Sequence, residues 1–261
     1  MTILRAIIAL VMVVRNELQL SRAIASLTNG VVKPDKVYLV DNGSDDLQAL
    51  KLIANARETL ALAGIACDFR RNEENCELGT VRSKVFHDIR GERGIDLVTC
   101  LDGDDELGKE TLSAFQLAYR ACQGEVDVIV PREIAYRYDS DEYRIEALGL
   151  TIPEINTARP NASRSEVQAW VDLTRVGATF AIRVAALAQY NGFSKRRLDD
   201  EWVWKFTGWA KRRARFAYAE MSAVTSYQYW QHDTRIDPNY ARRKEHTAAR
   251  RFRTARRALL S

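Results

Sequence analysis

The amino-acid sequence predicts an α/β fold in which a mostly parallel sheet is flanked by helices. The first 130 residues alternate between short apolar segments and segments with helical apolar spacing. This alternation is typical of strand–helix–strand units with right-handed crossovers. The run of residues 7–14 is apolar throughout, as expected of a central parallel strand that is buried on both faces.

The remaining elements follow from apolar spacing and helix-ending residues. Leu20, Ile24 and Leu27 have helical spacing, and Asn29-Gly30 is expected to end that helix. Further strands are predicted at residues 37–40, 66–70, 96–101, 126–130 and 176–182, and further helices at residues 47–63, 81–89, 112–119 and 184–190. Residues 131–164 are polar and aromatic with three prolines, and this composition predicts a variable loop region.

Composition excludes several classes of protein. The longest apolar run has nine residues, 6–14, whereas a membrane-spanning helix needs roughly 20. No cleavage site for a secretory signal follows that run. The four cysteines are irregularly spaced without a CxxC pair, so neither a structural zinc site nor a disulfide framework is predicted. We therefore expect a protein of the reducing cytoplasm.

Charge is unevenly distributed along the chain, although 39 basic and 35 acidic residues leave a net charge of only +4. Residues 241–261 carry eight Lys or Arg and one acid, and residues 195–215 carry eight against three acids. Carboxylates concentrate instead at residues 41–46 and 102–106. This asymmetry predicts an anionic partner for the C-terminal third and a bound cation in the N-terminal two thirds.

Two acidic turns follow predicted strands, at residues 41–46 and 102–106. Ligands of open α/β sheets bind outside the carboxyl ends of the strands. Clustered carboxylates repel one another, and a divalent cation with oxygen ligands relieves that repulsion. For residues 41–46, a solvated turn with a helix N-cap is the alternative. A third cluster, residues 199–201, either caps a helix or takes part in catalysis.

The order of these motifs resembles the family-2 glycosyltransferases of GT-A fold. The resemblance covers roughly residues 5–235 and rests on VVRNE at 13–17, VDNGS at 40–44, LDGDD at 101–105, GF at 192–193 and DDEW at 199–202. It implies a GT-A domain at residues 1–235, with a nucleotide-sugar half at 1–130 and an acceptor half at 131–235. Residues 236–261 are then a basic helical tail.

The resemblance also implies site residues. Gly79 and Arg82 correspond to a family segment that usually reads Gly-x-x-x-Arg-Asn, although here only two residues separate them and Ser83 stands where Asn is common. Donor-binding residues by this likeness are Val14, Asn16, Glu17, Asp41, Asn42, Arg82, Asp102 and Gly103. Asp102 and Asp104 are the DxD-type ligands of Mn²⁺ or Mg²⁺, joined by His232, and Asp200 is the general base.

The implied activity is metal-dependent, inverting transfer of a hexosyl or deoxyhexosyl group from a nucleotide-diphosphate sugar to an acceptor hydroxyl. The expected acceptor is a glycan or lipid-linked molecule of the cell envelope, with the basic tail on an anionic membrane surface at the cytoplasmic face. Processive polymer synthesis is not expected, because the Gln-x-x-Arg-Trp signature is absent. The alternatives are a nucleic-acid-modifying glycosyltransferase and a non-catalytic metal- or nucleotide-binding module.

Three residues carry alternatives within the resemblance. Asp199 replaces the usual Glu, so the base could be Asp199 or Glu201 instead of Asp200. Asn42 stands where many members have Asp. His232 in its Gln-His-Asp turn could equally be an exposed surface histidine.

Overall fold

A computed structural model describes residues 5–131, 133–138, 143–147, 180–187, 216–219 and 227–231. The strands are β1 (Ile8–Val14), β2 (Lys36–Asn42), β3 (Ala66–Asn72), β4 (Leu97–Cys100), β5 (Glu106–Leu107), β6 (Val128–Pro131), β7 (Glu133–Tyr138), β8 (Tyr143–Ala147), β9 (Ala181–Arg183), β10 (Phe216–Ala219) and β11 (Tyr227–Gln231). The helices are α1 (Leu20–Thr28), α2 (Leu47–Leu62), α3 (Leu78–Gly91), α4 (Thr111–Ala121) and α5 (Val184–Leu187).

Seven of these strands form one sheet in the order β10-β6-β9-β4-β1-β2-β3. Strand β1 lies between β4 and β2 and pairs with both in parallel. All seven of its residues are buried, which confirms the prediction from its unbroken apolar run. Strand β9 is antiparallel to both β4 and β6, so the sheet is mixed, with the predicted parallel arrangement over β1 to β4.

The apolar residues whose spacing predicted the first helix are buried in the structure. Leu20, Ile24 and Leu27 of α1 are buried, and Asn29 is the C-cap of that helix. Helix α2 begins after Asp46, whose side chain accepts a hydrogen bond from Ala49 N at 2.9 Å. A capping carboxylate of this kind satisfies one of the free N–H groups of the first turn.

The predicted loop region at residues 131–164 was wrong for two segments. Strands β7 and β8 are antiparallel and belong to a second, four-stranded sheet of order β5-β11-β7-β8. Residues 133–138 and 143–147 are rich in Ile, Tyr and Arg, and aromatic and β-branched residues favour strands. The prolines that suggested a loop lie outside both segments, at Pro131, Pro153 and Pro160.

Two further boundaries differ from prediction. Asp41 and Asn42, expected in a turn, are the last two residues of β2. Of the strand predicted at residues 176–182, the structure describes β9 from Ala181 onward. The tail predicted at residues 236–261 lies outside the described residues.

Candidate active site

Three parallel strands end side by side at one edge of the large sheet. Val14 of β1 pairs with Asp41 of β2, and β4 lies on the other side of β1 and leads into the acidic turn at Asp102. An open cleft of about 530 Å³ lies at the ends of β1 and β2. It is lined by Val13, Val14, Arg15, Asn42, Asn75, Cys76, Glu77 and Leu78. The edge of the sheet expected to bind a ligand therefore contains a cleft.

The acidic turn packs directly against one side of this cleft. A Cβ atom on Gly103 would lie 2.7 Å from Cγ1 of Val14 and 3.0 Å from Cγ of Glu17. Contacts of real Cβ atoms are essentially never as short as the 2.7 Å to Val14. Only glycine therefore lets the turn approach β1 this closely. Because Val14 also lines the cleft, the acidic turn and the cleft share a wall.

Two arginines hold the acidic turn. Nη2 of Arg82, on α3, donates to Oδ1 of Asp102; the Arg82 side chain is 1% exposed and that of Asp102 is 30% exposed. Nη2 of Arg22, on α1, donates to the backbone oxygen of Asp104 at 2.9 Å. Arg22 Nε also lies 3.2 Å from Oε1 of Glu106. Side chains of two helices, α1 and α3, thus hold the turn.

Asp41 is buried at the end of β2 and has a carboxylate oxygen without a hydrogen bond. Its Oδ1 accepts from Ser44 N at 2.9 Å, and the side chain is 0% exposed. Its Oδ2 accepts no hydrogen bond within the described part of the chain, although Arg71 Nε lies 3.4 Å away. The Arg71 guanidinium thus pairs with this oxygen as a cation at the edge of the sheet.

Asn16 joins the loop after β1 to the loop after β2. Its Nδ2 donates to Oδ1 of Asp45 at 2.6 Å, and its Oδ1 accepts from the backbone N–H groups of Asp45 and Asp46 at 3.0 and 3.1 Å. The Asn16 hydrogen bond lowers the pKa of the Asp45 carboxyl. Asn16 has φ +49°, a conformation that asparagine adopts more readily than most residues. Its amide therefore fixes the edge of the site.

The structure brings most of the predicted donor residues together at the ends of β1, β2 and β4. Asp200 and His232 lie outside the described residues, so their roles stay predictions. Sequence reasoning missed Arg15, which lines the cleft and stands within the VVRNE motif. It also missed residues 75–78, which match no motif and were found only because they face the cleft.

The oxygen-rich acidic turn suits a hard divalent ion only in part. No group of three His, Cys, Asp or Glu side chains suited to a metal occurs among the residues described. Asp102 engages one oxygen with Arg82, and Asp104 is 7% exposed. Mg²⁺ and similar ions are commonly held by one or two carboxylates together with substrate phosphates. Asp102 and Asp104 together supply that number of carboxylates.

Two further features concern the cysteines and the helices of the described segments. All four cysteines are free thiols in this structure. Within the ranges described, no helix is both long and apolar enough to cross a bilayer.

The chain is similar in fold to several solved structures. S. aureus TarS superposes with a TM-score of 0.58 at 16% identity, over 86% of this chain and 36% of that one. Residues 1–349 of TarS with UDP-GlcNAc give 0.58 at 16%, over 86% and 58%. The mannosyltransferase PcManGT from Pyrobaculum calidifontis, with GDP-Man and Mn²⁺, gives 0.55 at 15%, over 87% and 57%.

These similarities show a shared fold, and the chain spans between 36% and 58% of the length of the chains in these three structures. No curated protein matches the sequence. The family model for glycosyl transferase family 2, however, matches residues 9–190. That match includes β1 except its first residue, all of β2 to β4, and the acidic turn. The chain belongs to glycosyl transferase family 2, and its fold is the GT-A fold that the sequence motifs predicted.

Proposed function

We propose that this protein is a metal-dependent, inverting glycosyltransferase that moves a hexosyl or deoxyhexosyl group from a nucleotide-diphosphate sugar to an acceptor hydroxyl. The observation that carries the proposal is the contact of Gly103 with Val14, which places the acidic turn directly beside the cleft. A nucleotide in the cleft would have its diphosphate within reach of Asp102 and Asp104. The nucleotide sugars bound in two similar structures, UDP-GlcNAc and GDP-Man, support the same donor class.

Different residues of the chain would bind different parts of the donor. Asp41, which is ion-paired with Arg71 at the end of β2, is assigned to the base or ribose on the strength of the family motif at residues 40–44. Arg15 lines the cleft and adds a positive charge beside a dianionic diphosphate. Asp102 and Asp104 would hold Mn²⁺ or Mg²⁺, which neutralises the charge that develops on the leaving diphosphate. Arg82 keeps the Asp102 carboxylate oriented toward that position.

Proton removal from the acceptor is assigned to Asp200. A carboxylate on the side of the sugar opposite the diphosphate can take the proton of the attacking hydroxyl. The oxygen then forms a bond to the anomeric carbon as the bond to the diphosphate breaks, so one displacement inverts the anomeric configuration. This assignment rests on the family motif at residues 199–202, and His232 stays a further candidate metal ligand.

A glycan or lipid-linked acceptor of the cell envelope is the acceptor class we favour. The support is the basic composition of residues 241–261, which suits attachment to anionic lipid at the cytoplasmic face of a membrane. The same charges would serve a nucleic-acid acceptor, and the prediction on the tail below separates the two.

A donor panel tests the proposal. UDP-, GDP- and dTDP-sugars are incubated with the protein and Mn²⁺, and released nucleotide diphosphate is measured with and without a chelator. Release from at least one donor, lost with the chelator and restored by added Mn²⁺, is the expected result. Release that survives the chelator would reject metal dependence. If no donor is cleaved and none raises the unfolding temperature, the non-catalytic alternative is favoured instead.

A further inference from the structure

One wall of the cleft has no sequence motif and is held by the end of β2. Residues 75–78, called the wall segment, lead from the loop after β3 to the first residue of α3 and line the cleft. Two neighbouring residues of the VDNGS motif, Asn42 and Gly43, contact this part of the chain. Asn42 was predicted to bind the donor, but the hydrogen bonds of its side chain indicate a different role.

The Asn42 amide engages both peptide groups of Cys76. Its Nδ2 donates to the Cys76 oxygen at 2.8 Å, and its Oδ1 accepts from Cys76 N at 3.1 Å. The same Oδ1 accepts from Nδ2 of Asn72 at 2.9 Å. With Asn42 only 5% exposed, these hydrogen bonds form away from water, where losing a partner is costly. An amide is required, because Cys76 presents both a donor and an acceptor.

Gly43 supports the same segment through an independent contact. It has φ +77°, and an added Cβ would lie 2.6 Å from the carbonyl carbon of Glu74 and 2.7 Å from Asn75 N. The backbone after β2 therefore lies directly against the backbone that leads into the wall segment. Any side chain at residue 43 would be strained by its φ angle and would push the wall segment away.

The wall segment continues into the helix that holds the acidic turn. Leu78 is both the last residue of the wall and the first of α3. Arg82 follows on the second turn of that helix and is bonded to Asp102. A displacement of the wall segment would thus change the cleft and the start of α3 together.

We propose that Asn42 is a positioning residue, which together with Gly43 holds the wall segment in place. The position of the wall segment sets the width of the cleft that the nucleotide diphosphate requires. The inference rests on the proposed function. Asn42→Ala and Gly43→Ala should weaken binding of UDP or GDP, with Mn²⁺ present, by roughly tenfold, because each loosens a buried contact of the wall. KM for the donor should rise by a similar factor, while kcat at saturating donor changes by less than about threefold.

Hydrogen exchange of residues 72–78 separates a positioning role from direct contact with the nucleotide. Substituting a residue that only contacts the nucleotide would leave this exchange unchanged. In the nucleotide-free protein, the backbone N–H groups of these residues should exchange roughly tenfold faster in both variants. In Asn42→Ala the Cys76 N–H loses its hydrogen-bond acceptor, and in Gly43→Ala the wall segment is displaced. Asn55→Ala, at an exposed position of α2, is the matched control and should change neither measurement. If Asn42→Ala fails to fold, the isosteric Asn42→Asp replaces it and should weaken binding similarly.

Three outcomes decide the matter. Weakened nucleotide binding with unchanged exchange would mean that Asn42 contacts the nucleotide itself, and would overturn the proposal. Faster exchange with unchanged nucleotide affinity would overturn it too, because the wall segment would not shape the donor site. If the parent protein binds no nucleotide diphosphate while exchange responds as expected, the proposed function fails and the hydrogen bonds stand.

Discussion

Arg82 and Asp102 form an ion pair in which the cation is buried and the carboxylate is partly exposed just after the end of β4. Arg82 is 1% exposed, whereas 30% of the Asp102 side chain is exposed. The pair joins α3 to the end of β4 across 20 residues of sequence. The Asp102 carboxylate is thus oriented from beneath while its exposed part stays available to a ligand.

Replacing Arg82 with Met should therefore impair the site and reduce stability. The substitution removes the buried partner of Asp102, whose carboxylate still reaches water. It should lower the free energy of unfolding by about 2 kcal/mol. Affinity for nucleotide diphosphate with Mn²⁺ should fall at least about tenfold, as measured by calorimetry. Arg90→Met removes the same charge from an exposed position of α3 and should leave affinity unchanged; equal losses in both variants would contradict a specific role.

Asp104→Asn should abolish metal-dependent binding of the nucleotide diphosphate. The change keeps the size of the side chain and removes the charge that a divalent ion requires. Thermal unfolding with nucleotide, with and without Mn²⁺, measures the effect as the loss of the Mn²⁺-dependent rise in unfolding temperature. Glu110→Gln, an exposed change at the start of α4, is the control. A variant stabilised as strongly as the parent protein would remove Asp104 from the metal site.

The sequence predicted the position of this acidic turn but not what holds it. An unbroken apolar run marks β1, and carboxylates after a strand mark the binding edge, so both could be predicted from residues near one another in the chain. The partner of Asp102 lies 20 residues away and that of Asn42 lies 34 residues away. Such pairs depend on how α3 docks on the sheet, which local spacing does not encode. The antiparallel position of β9 between β4 and β6 escaped prediction for the same reason.

Asp200→Asn should retain donor binding and lose transfer. Removing a general base typically lowers the rate by about 10²–10⁴-fold, so kcat should fall by that range while the dissociation constant for the donor stays within about threefold. Asp199→Asn and Glu201→Gln are the controls and should be milder. A larger loss in either neighbour would move the base to that residue, and three harmless substitutions would place it elsewhere.

A cluster of charges at the side of the sheet away from the cleft should make stability depend on acid pH. Lys36 Nζ lies 2.6 Å from Glu92 Oε1, and the buried Tyr38 hydroxyl donates to the same carboxylate. The Lys36 hydrogen bond, with that from Tyr38, lowers the pKa of Glu92. Arg70 lowers the pKa of Asp68 through its hydrogen bonds. Burial, followed by the Glu92 hydrogen bond, raises the pKa of Tyr38 to about 12, so Tyr38 stays a donor.

The sign follows from these depressed pKa values. A carboxyl whose folded pKa lies below its unfolded value stabilises the protein above the unfolded value, near 4, and loses that contribution as pH falls through the folded value. The denaturant midpoint should therefore decline as pH falls below about 4. Glu92→Gln should make that decline shallower, whereas the exposed Glu58→Gln should not. Identical profiles for the two variants would show that Glu92 does not contribute.

The basic tail should attach the protein to an anionic surface. Residues 241–261 carry eight Lys or Arg, and each such charge near an anionic lipid surface contributes roughly 1 kcal/mol. Deleting the residues after Asn239 should weaken sedimentation with phosphatidylserine-containing vesicles strongly at low salt and little at high salt. The salt dependence arises because the Debye length is about 8 Å at physiological ionic strength and shorter above it.

Two further measurements separate the explanations of the tail. A nucleic-acid partner would appear as tail-dependent binding to duplex DNA or RNA that exceeds binding to vesicles of equal charge. Turnover of a small soluble acceptor should survive the deletion, because the donor cleft and the acidic turn lie within β1 to β4 and α3. If that turnover is lost while vesicle and nucleic-acid binding are unchanged, residues 240–261 are instead a packed part of the transferase domain, since a surface attachment device is not needed for chemistry on a soluble acceptor.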